Sequence, residues 1–128
     1  MTSVLVVDDD AGIRAVMRAI LEHEDYAIYE AEDGEVALAF CNAAKPDVVL
    51  LDLMLPGMHG LDVLRTLKAD PKTASAKVVV ITALGSSARP EAEAAGADGF
   101  FEKPFSPTAL IQAVERALRA PPPQPPEG

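Results

Sequence analysis

Four stretches of this sequence run into residues that could do chemistry. Asp8, Asp9 and Asp10 follow the apolar run VLVV (4–7), Asp52 follows VVLL (48–51), Thr82 closes VVVIT (78–82), and Lys103 follows GFFE (99–102). A carboxylate at the end of a buried run is costly unless something compensates it. Clustered carboxylates repel, and one of them takes up a proton unless a cation joins them. Oxygen donors select a hard ion, and a site with few carboxylates and room for water suits Mg²⁺ better than a Ca²⁺ cage. A carboxylate beside such an ion, a hydroxyl and an ammonium has the parts for phosphoryl transfer. The carboxylate attacks as nucleophile to form an acyl phosphate. Ion and ammonium neutralise the transferring oxygens, and the hydroxyl donates a hydrogen bond.

That chemistry requires elements that bring the four stretches together. The continuous β-branched runs suit strands of a parallel sheet covered on both faces. YAIYEA (26–31) and GFFE (99–102) read as shorter strands, the latter at an edge. Ile13, Val16, Met17, Ile20 and Leu21 follow the spacing of an apolar helix face, and Leu110, Ile111, Val114, Ala117 and Leu118 repeat it. Ser106 and Pro107 supply an N-cap and a first-turn proline for the last helix. Further helices are expected over 34–44 and 60–69, the second closed by Asp70-Pro71. The alternation of strand and helix predicts an α/β fold, a doubly wound five-stranded parallel sheet of order 2-1-3-4-5 with helices on both faces. In such a sheet, ligands bind beyond the carboxyl ends of the strands, where the strand order reverses. Asp8 and Asp9 then face Asp52 from a strand about 4.8 Å away. Lys103 starts two strands from Asp52, roughly 10 Å, a gap its flexible stem can largely cover.

Two segments break the regularity. GSSARPEAEAAG (85–96) has no large apolar side chain and contains Pro90, so it reads as a loop and then a short, weakly held helix starting near that proline. PPPQPPEG (121–128) is expected to be extended and solvated, a tail or the start of a linker. Residues 1–120 are accordingly expected to form one domain.

The bulk numbers limit the functional classes. The 128 residues are 49% hydrophobic and carry a net charge of −9, with 20 acidic against 11 basic side chains. That balance argues against direct nucleic acid binding by this chain, which relies on clustered Lys and Arg. A single cysteine, Cys41, forms no internal disulfide and points to a reducing, cytoplasmic setting. No run reaches the ~18–20 apolar residues of a membrane span, and the start does not read as a signal peptide.

VLVVDDD, VVLLDLMLPGMHG, VVVITA and GADGFFEKPF, in that order, resemble the receiver domains of two-component response regulators, from about Val4 to Ala120. The resemblance implies a flavodoxin-like fold and a phosphorylation-dependent switch that accepts its phosphoryl group on Asp52 from a histidine kinase or histidine phosphotransfer protein. It implies Asp8 and Asp9 as the acidic pair serving Mg²⁺, with the Met54 backbone carbonyl as a further ligand. Thr82 and Lys103 match the phosphate-contacting pair, Ala83 the small residue beside the phosphoryl group, and Lys103-Pro104 a peptide bond that is usually cis. Phe100 matches the switch aromatic. Phosphorylation is expected to draw Thr82 inward, let Phe100 turn into the vacated space and alter the 85–120 face. Downstream, the resemblance implies a protein partner or a C-terminal effector domain, and a phosphorylation-dependent dimer. Met54 and Leu84, two residues after Asp52 and Thr82, occupy positions that govern hydrolytic water; both are apolar, which predicts a long-lived phosphoryl group.

Plainer roles stand beside these. Asp10 reads as N-terminal charge for the first helix, Cys41 as helix core, and His23 and His59 as surface histidines. An enzymatic alternative is a Mg²⁺-dependent phosphotransferase or phosphatase with an aspartyl nucleophile. Those enzymes usually place an acid–base carboxylate two residues after the nucleophile, where Met54 stands here. A flavin- or nucleotide-binding domain is disfavoured because DDDAGIR, not a Gly-rich phosphate loop, follows the first run. The chain is thus expected to be no enzyme beyond its own phosphorylation and dephosphorylation.

Overall fold

The apolar runs become the strands of one sheet, and alternation along each run decides which core it feeds. The computed structural model describes residues 1–119. Strands β1 (Thr2–Val7), β2 (Tyr26–Ala31), β3 (Val48–Leu51), β4 (Lys77–Thr82) and β5 (Gly99–Glu102) alternate with helices α1 (Ala11–Leu21), α2 (Gly34–Ala44), α3 (Gly60–Ala69), α4 (Arg89–Ala94) and α5 (Pro107–Arg119). All strand pairs are parallel, in the order β2-β1-β3-β4-β5. This is the expected doubly wound topology, with GFFE at one edge. The reading of 121–128 as a tail lies outside the described residues.

Successive strand residues point to opposite faces. Val4, Val6, Val48, Leu50, Val79 and Ile81 pack with Met17 and Leu21 of α1 and Leu110, Val114 and Ala117 of α5. Leu5, Val7, Val49, Leu51, Val78 and Val80 face the other way, toward Ala37 and Cys41 of α2, Leu61, Leu64 and Leu67 of α3, and Ala92 of α4. Each buried Val or Leu is worth roughly 1.5–3 kcal/mol, so the two cores, not the polar groups at their rim, hold the sheet. Cys41 lies in the second core, where burial pushes its thiol up to about 11. No helix among the described residues is long and apolar enough to cross a membrane.

Helix starts follow the capping residues. The Asp10 carboxylate accepts hydrogen bonds from the Gly12 and Ile13 amides (2.8 and 3.2 Å), the plain role read for it. Ser106 Oγ accepts from the Ala109 amide, with Pro107 opening α5. His59 is exposed as expected, yet its Nδ1 accepts from the Leu61 amide at 3.1 Å and caps α3. Two apolar assignments are corrected, the first at Val16, which is 52% exposed. At 100° per residue it falls at the rim of the stripe centred on Met17 and Leu21, and so faces solvent. Leu118 of α5 is exposed in the same way.

The 85–96 segment forms a short 3-10 turn, Ser86–Ala88, and then six-residue α4 with Pro90 in its first turn. Only Ala92 of α4 is buried. Arg89 adds a tether: its Nη2 donates to the Phe100 carbonyl (3.2 Å) and its guanidinium lies 5.1 Å from the Phe100 ring centre. At the opposite end of the sheet Lys68 Nζ donates to the carbonyls of Ala74 and Ala76 and to Asp98 Oδ2, tying α3 to the segments flanking β4 and β5.

Among the described glycines, Gly60 leaves the least room, where α3 meets the segment carrying Asp52. A Cβ on Gly60 would stand 2.4 Å from the Asp52 carbonyl oxygen and 2.4 Å from Leu53 Cα, both backbone atoms. Gly60→Ala is therefore expected to lower unfolding free energy by about 1–3 kcal/mol, read from urea denaturation midpoints; an unchanged midpoint would mean that α3 can retreat freely.

Candidate functional site

The strand ladders run one residue past their ends and fix the main chain of the reactive residues. The Asp8 amide donates to the Ala31 carbonyl (3.2 Å), the Asp52 amide to the Val7 carbonyl (3.0 Å), and the Lys103 amide to the Thr82 carbonyl (2.9 Å). Parallel neighbours end at the same level, so these residues share one rim. Asp8, Asp9 and Asp52 each present an oxygen within 4.8 Å of the others. Asp8 is 1% and Asp52 6% exposed, whereas Asp9 opens to solvent.

Lys103 reaches into this cluster. Its Nζ donates to Asp8 Oδ2 at 2.6 Å and to Asp52 Oδ2 at 2.9 Å. The remaining oxygens are also engaged, with Asp8 Oδ1 accepting from the Asp10 amide and Asp52 Oδ1 from the Met54 amide. Burial alone would lower the Lys103 pKa, but its hydrogen bonds and attraction to the two carboxylates outweigh that and raise it above the ordinary lysine value. A raised value adds stability that is full below the ordinary lysine range and lost as pH rises through the folded value.

Three carboxylates against one ammonium leave two negative charges at the rim. That balance and the all-oxygen donor set fit a hard divalent cation.

The other expected residues stand around this centre. Thr82 is fully buried, and its Oγ1 accepts from the Leu84 amide at 3.2 Å. Ala83 follows it on the exposed side. Met54 and Leu84 have exposed side chains. The Lys103–Pro104 bond is cis. Phe100 is already buried in the α2–α4 core beneath Arg89, so the inward position expected after phosphorylation is occupied in this conformation. His23 and Cys41 take no part. Sequence reasoning missed Arg14, whose Nη1 donates to the Asp8 carbonyl; nothing in the local pattern marks its ion pair with Glu30, sixteen positions on.

Residues 4–115 match the family of response regulator receiver domains. The transcriptional regulatory protein ResD of Bacillus subtilis (strain 168) is 43% identical over 119 residues, which cover 92% of this chain and 48% of ResD. The phosphate regulon transcriptional regulatory protein PhoB of Pseudomonas aeruginosa is 38% identical over 118 residues, 91% of this chain and 52% of PhoB. This chain thus spans about half the length of these curated relatives. Among solved structures, chemotaxis response regulator CheY4 of Vibrio cholerae superposes with a TM-score of 0.86 at 31% identity, covering 92% of this chain and 99% of that one. A response regulator structure from Chloroflexus aurantiacus J-10-fl gives a TM-score of 0.89 at 30% identity, covering 93% and 98%.

Removing the shared ammonium leaves buried carboxylates facing each other. Lys103→Met is expected to cost about 3 kcal/mol at neutral pH. In the wild type the raised Lys103 pKa makes stability fall as pH rises above the ordinary lysine range, a dependence the variant should lose. Denaturation curves from neutral to alkaline pH check both expectations.

Proposed function

The chain belongs to the response regulator receiver domain family, and on that footing we propose that Asp52 is the phosphoacceptor of a switch driven by a histidine kinase or histidine phosphotransfer protein. The observation that carries this reading is the buried Asp52 carboxylate, held at both oxygens by Met54 N–H and Lys103 Nζ at the rim where strand order reverses. The enzymatic alternative is not favoured by the family match.

One Asp52 oxygen attacks phosphorus; the phosphorus–nitrogen bond of the donor phosphohistidine breaks and its electron pair returns to the imidazole. Lys103 moves its hydrogen bonds from the carboxylate to the transferring oxygens, where negative charge accumulates. Thr82 Oγ1 rotates its proton toward the same oxygens. Asp8, Asp9, Asp52 and the Met54 carbonyl are the groups that would hold Mg²⁺, and Asp9, open to solvent, gives it an entry. Held by these groups, the ion would supply positive charge to offset that on the phosphoryl oxygens.

Readout runs through β4 and β5 in this reading. Thr82 drawn toward the phosphoryl group gives up the Leu84 amide, loosening the 85–96 segment, which Arg89 and a few alanines, Ala92 the one buried, hold to the core. Phe100, already inside, follows through Arg89, and the 85–120 face changes. We read residues 1–120 as the receiver and 121–128 as a Pro-rich tail or the start of a linker. An effector beyond it is supported by relatives of about double length, which include a protein named as a DNA-binding response regulator. A protein partner or a phosphorylation-dependent dimer would read the same face. The chain would act in the cytoplasm.

Incubation with a small phosphodonor and Mg²⁺, followed by intact mass, is expected to add one phosphoryl group to the wild type and none to Asp52→Asn. An adduct retained by the variant would overturn the assignment. Met54 and Leu84 are exposed and apolar at the two positions that the family resemblance links to hydrolytic water, so self-dephosphorylation is expected to be slow. Replacing both with polar residues should speed it several-fold in a decay assay.

A further inference from the structure

We propose that Arg14 is a positioning residue for the acidic rim, holding the Asp8 main chain so that its carboxylate meets a divalent cation in a fixed place. The inference rests on the reading of Asp8, Asp9 and Asp52 as the ion's ligands.

Arg14 stands where a cation is poorly placed. It is the fourth residue of α1, and its amide bonds to the Asp10 carbonyl at the helix's amino end. The helix dipole favours anions there, not a guanidinium. Something else must hold it, and the structure shows what. Arg14 Nη1 donates to the Asp8 carbonyl at 2.5 Å while its Nε donates to Glu30 Oε1 at 3.0 Å. The Asp8 carbonyl belongs to a buried residue just past the end of β1. With this bond every polar atom of Asp8 is engaged: the amide with Ala31, the carbonyl with Arg14, Oδ1 with the Asp10 amide and Oδ2 with Lys103.

The brace continues outward. Glu30 Oε2 accepts from Arg18 Nε at 2.9 Å, Arg18 Nη2 donates to the Ile28 carbonyl at 3.1 Å, and Arg18 Nη1 lies 3.8 Å from Glu22 Oε1. The hydrogen bond from Arg18 keeps the Glu30 pKa below its ordinary value, against the desolvation of partial burial and with help from Arg14. Two guanidiniums therefore stand against two carboxylates. Glu30 lets a cationic fork grip Asp8 without adding uncompensated positive charge beside a cation site. Lysine could not replace the fork, because its single ammonium on a flexible stem is not preorganised to reach both partners at once.

The test is calorimetric titration of Mg²⁺ alone into the full chain, for wild type, Arg14→Ala, Arg14→Lys, Glu30→Gln and the remote control Arg65→Ala. Outer-shell partners of metal ligands are worth about 10-fold or more in affinity. Arg14→Ala and Arg14→Lys are each expected to weaken Mg²⁺ binding by about 10-fold; Glu30→Gln should weaken it less, and Arg65→Ala should match wild type. Unchanged affinity in a folded Arg14→Ala overturns the proposal, as does full recovery in Arg14→Lys, which would make charge rather than placement the cause. Should Arg14→Ala fail to fold, Arg14→Lys and Glu30→Gln decide by the same measure. A wild type that takes up no Mg²⁺ overturns the ligand reading itself, a failure distinct from that of the brace.

Discussion

One ammonium group sits between two carboxylates that the fold has almost removed from water, and the arrangement of the rim follows from that fact. Asp8 and Asp52 could not both remain charged so close together in an apolar setting without a cation between them. Lys103 supplies it from the end of an edge strand, across β4 and β3. One ammonium does not balance three carboxylates, so the rim remains ready for a divalent ion. In the proposed switch, a phosphoryl group on Asp52 would act on the same set of charges.

The scaffold keeps that balance local. Both cores are built from aliphatic side chains of the same strands, so the sheet is a rigid wall with the rim at its edge. The main-chain bonds that extend the ladders carry this rigidity one residue into the site. The rim meets a softer region on one side only. There α4 buries only Ala92, packs Ala88 and Ala95 at the core's edge, and is bonded to β5 through Arg89.

Most of this was legible in the residues. Runs such as VVLL and VVVIT cannot be half-exposed strands, so a sheet covered on both faces was the consistent solution, and it places Asp8, Asp52 and Lys103 together. The poor helix at 85–96 was equally visible, because it has nothing large to bury. What escaped depended on side chains from distant positions meeting at particular angles. Val16 fits the apolar spacing but lies at the rim of its stripe. His59 looks like any surface histidine until its ring nitrogen meets the Leu61 amide. Gly60 shows no local turn signal; only the approach of α3 to the Asp52 backbone explains it. Arg14 with Glu30, and Lys68 with Asp98, pair across elements whose relative rotation periodicity does not specify.

The single cysteine has a practical meaning. Cys41 is enclosed by the α2–α4 core, and with its thiol pushed up to about 11 it stays protonated across the ordinary working range. Thiolate is the reactive form, so the native side chain is a poor target for maleimides or for air oxidation. A cysteine introduced anywhere on the surface would then be the one reactive thiol of the molecule. Fluorophores or spin labels could be attached singly to α4 or to the β5 edge without first removing a native residue from the core.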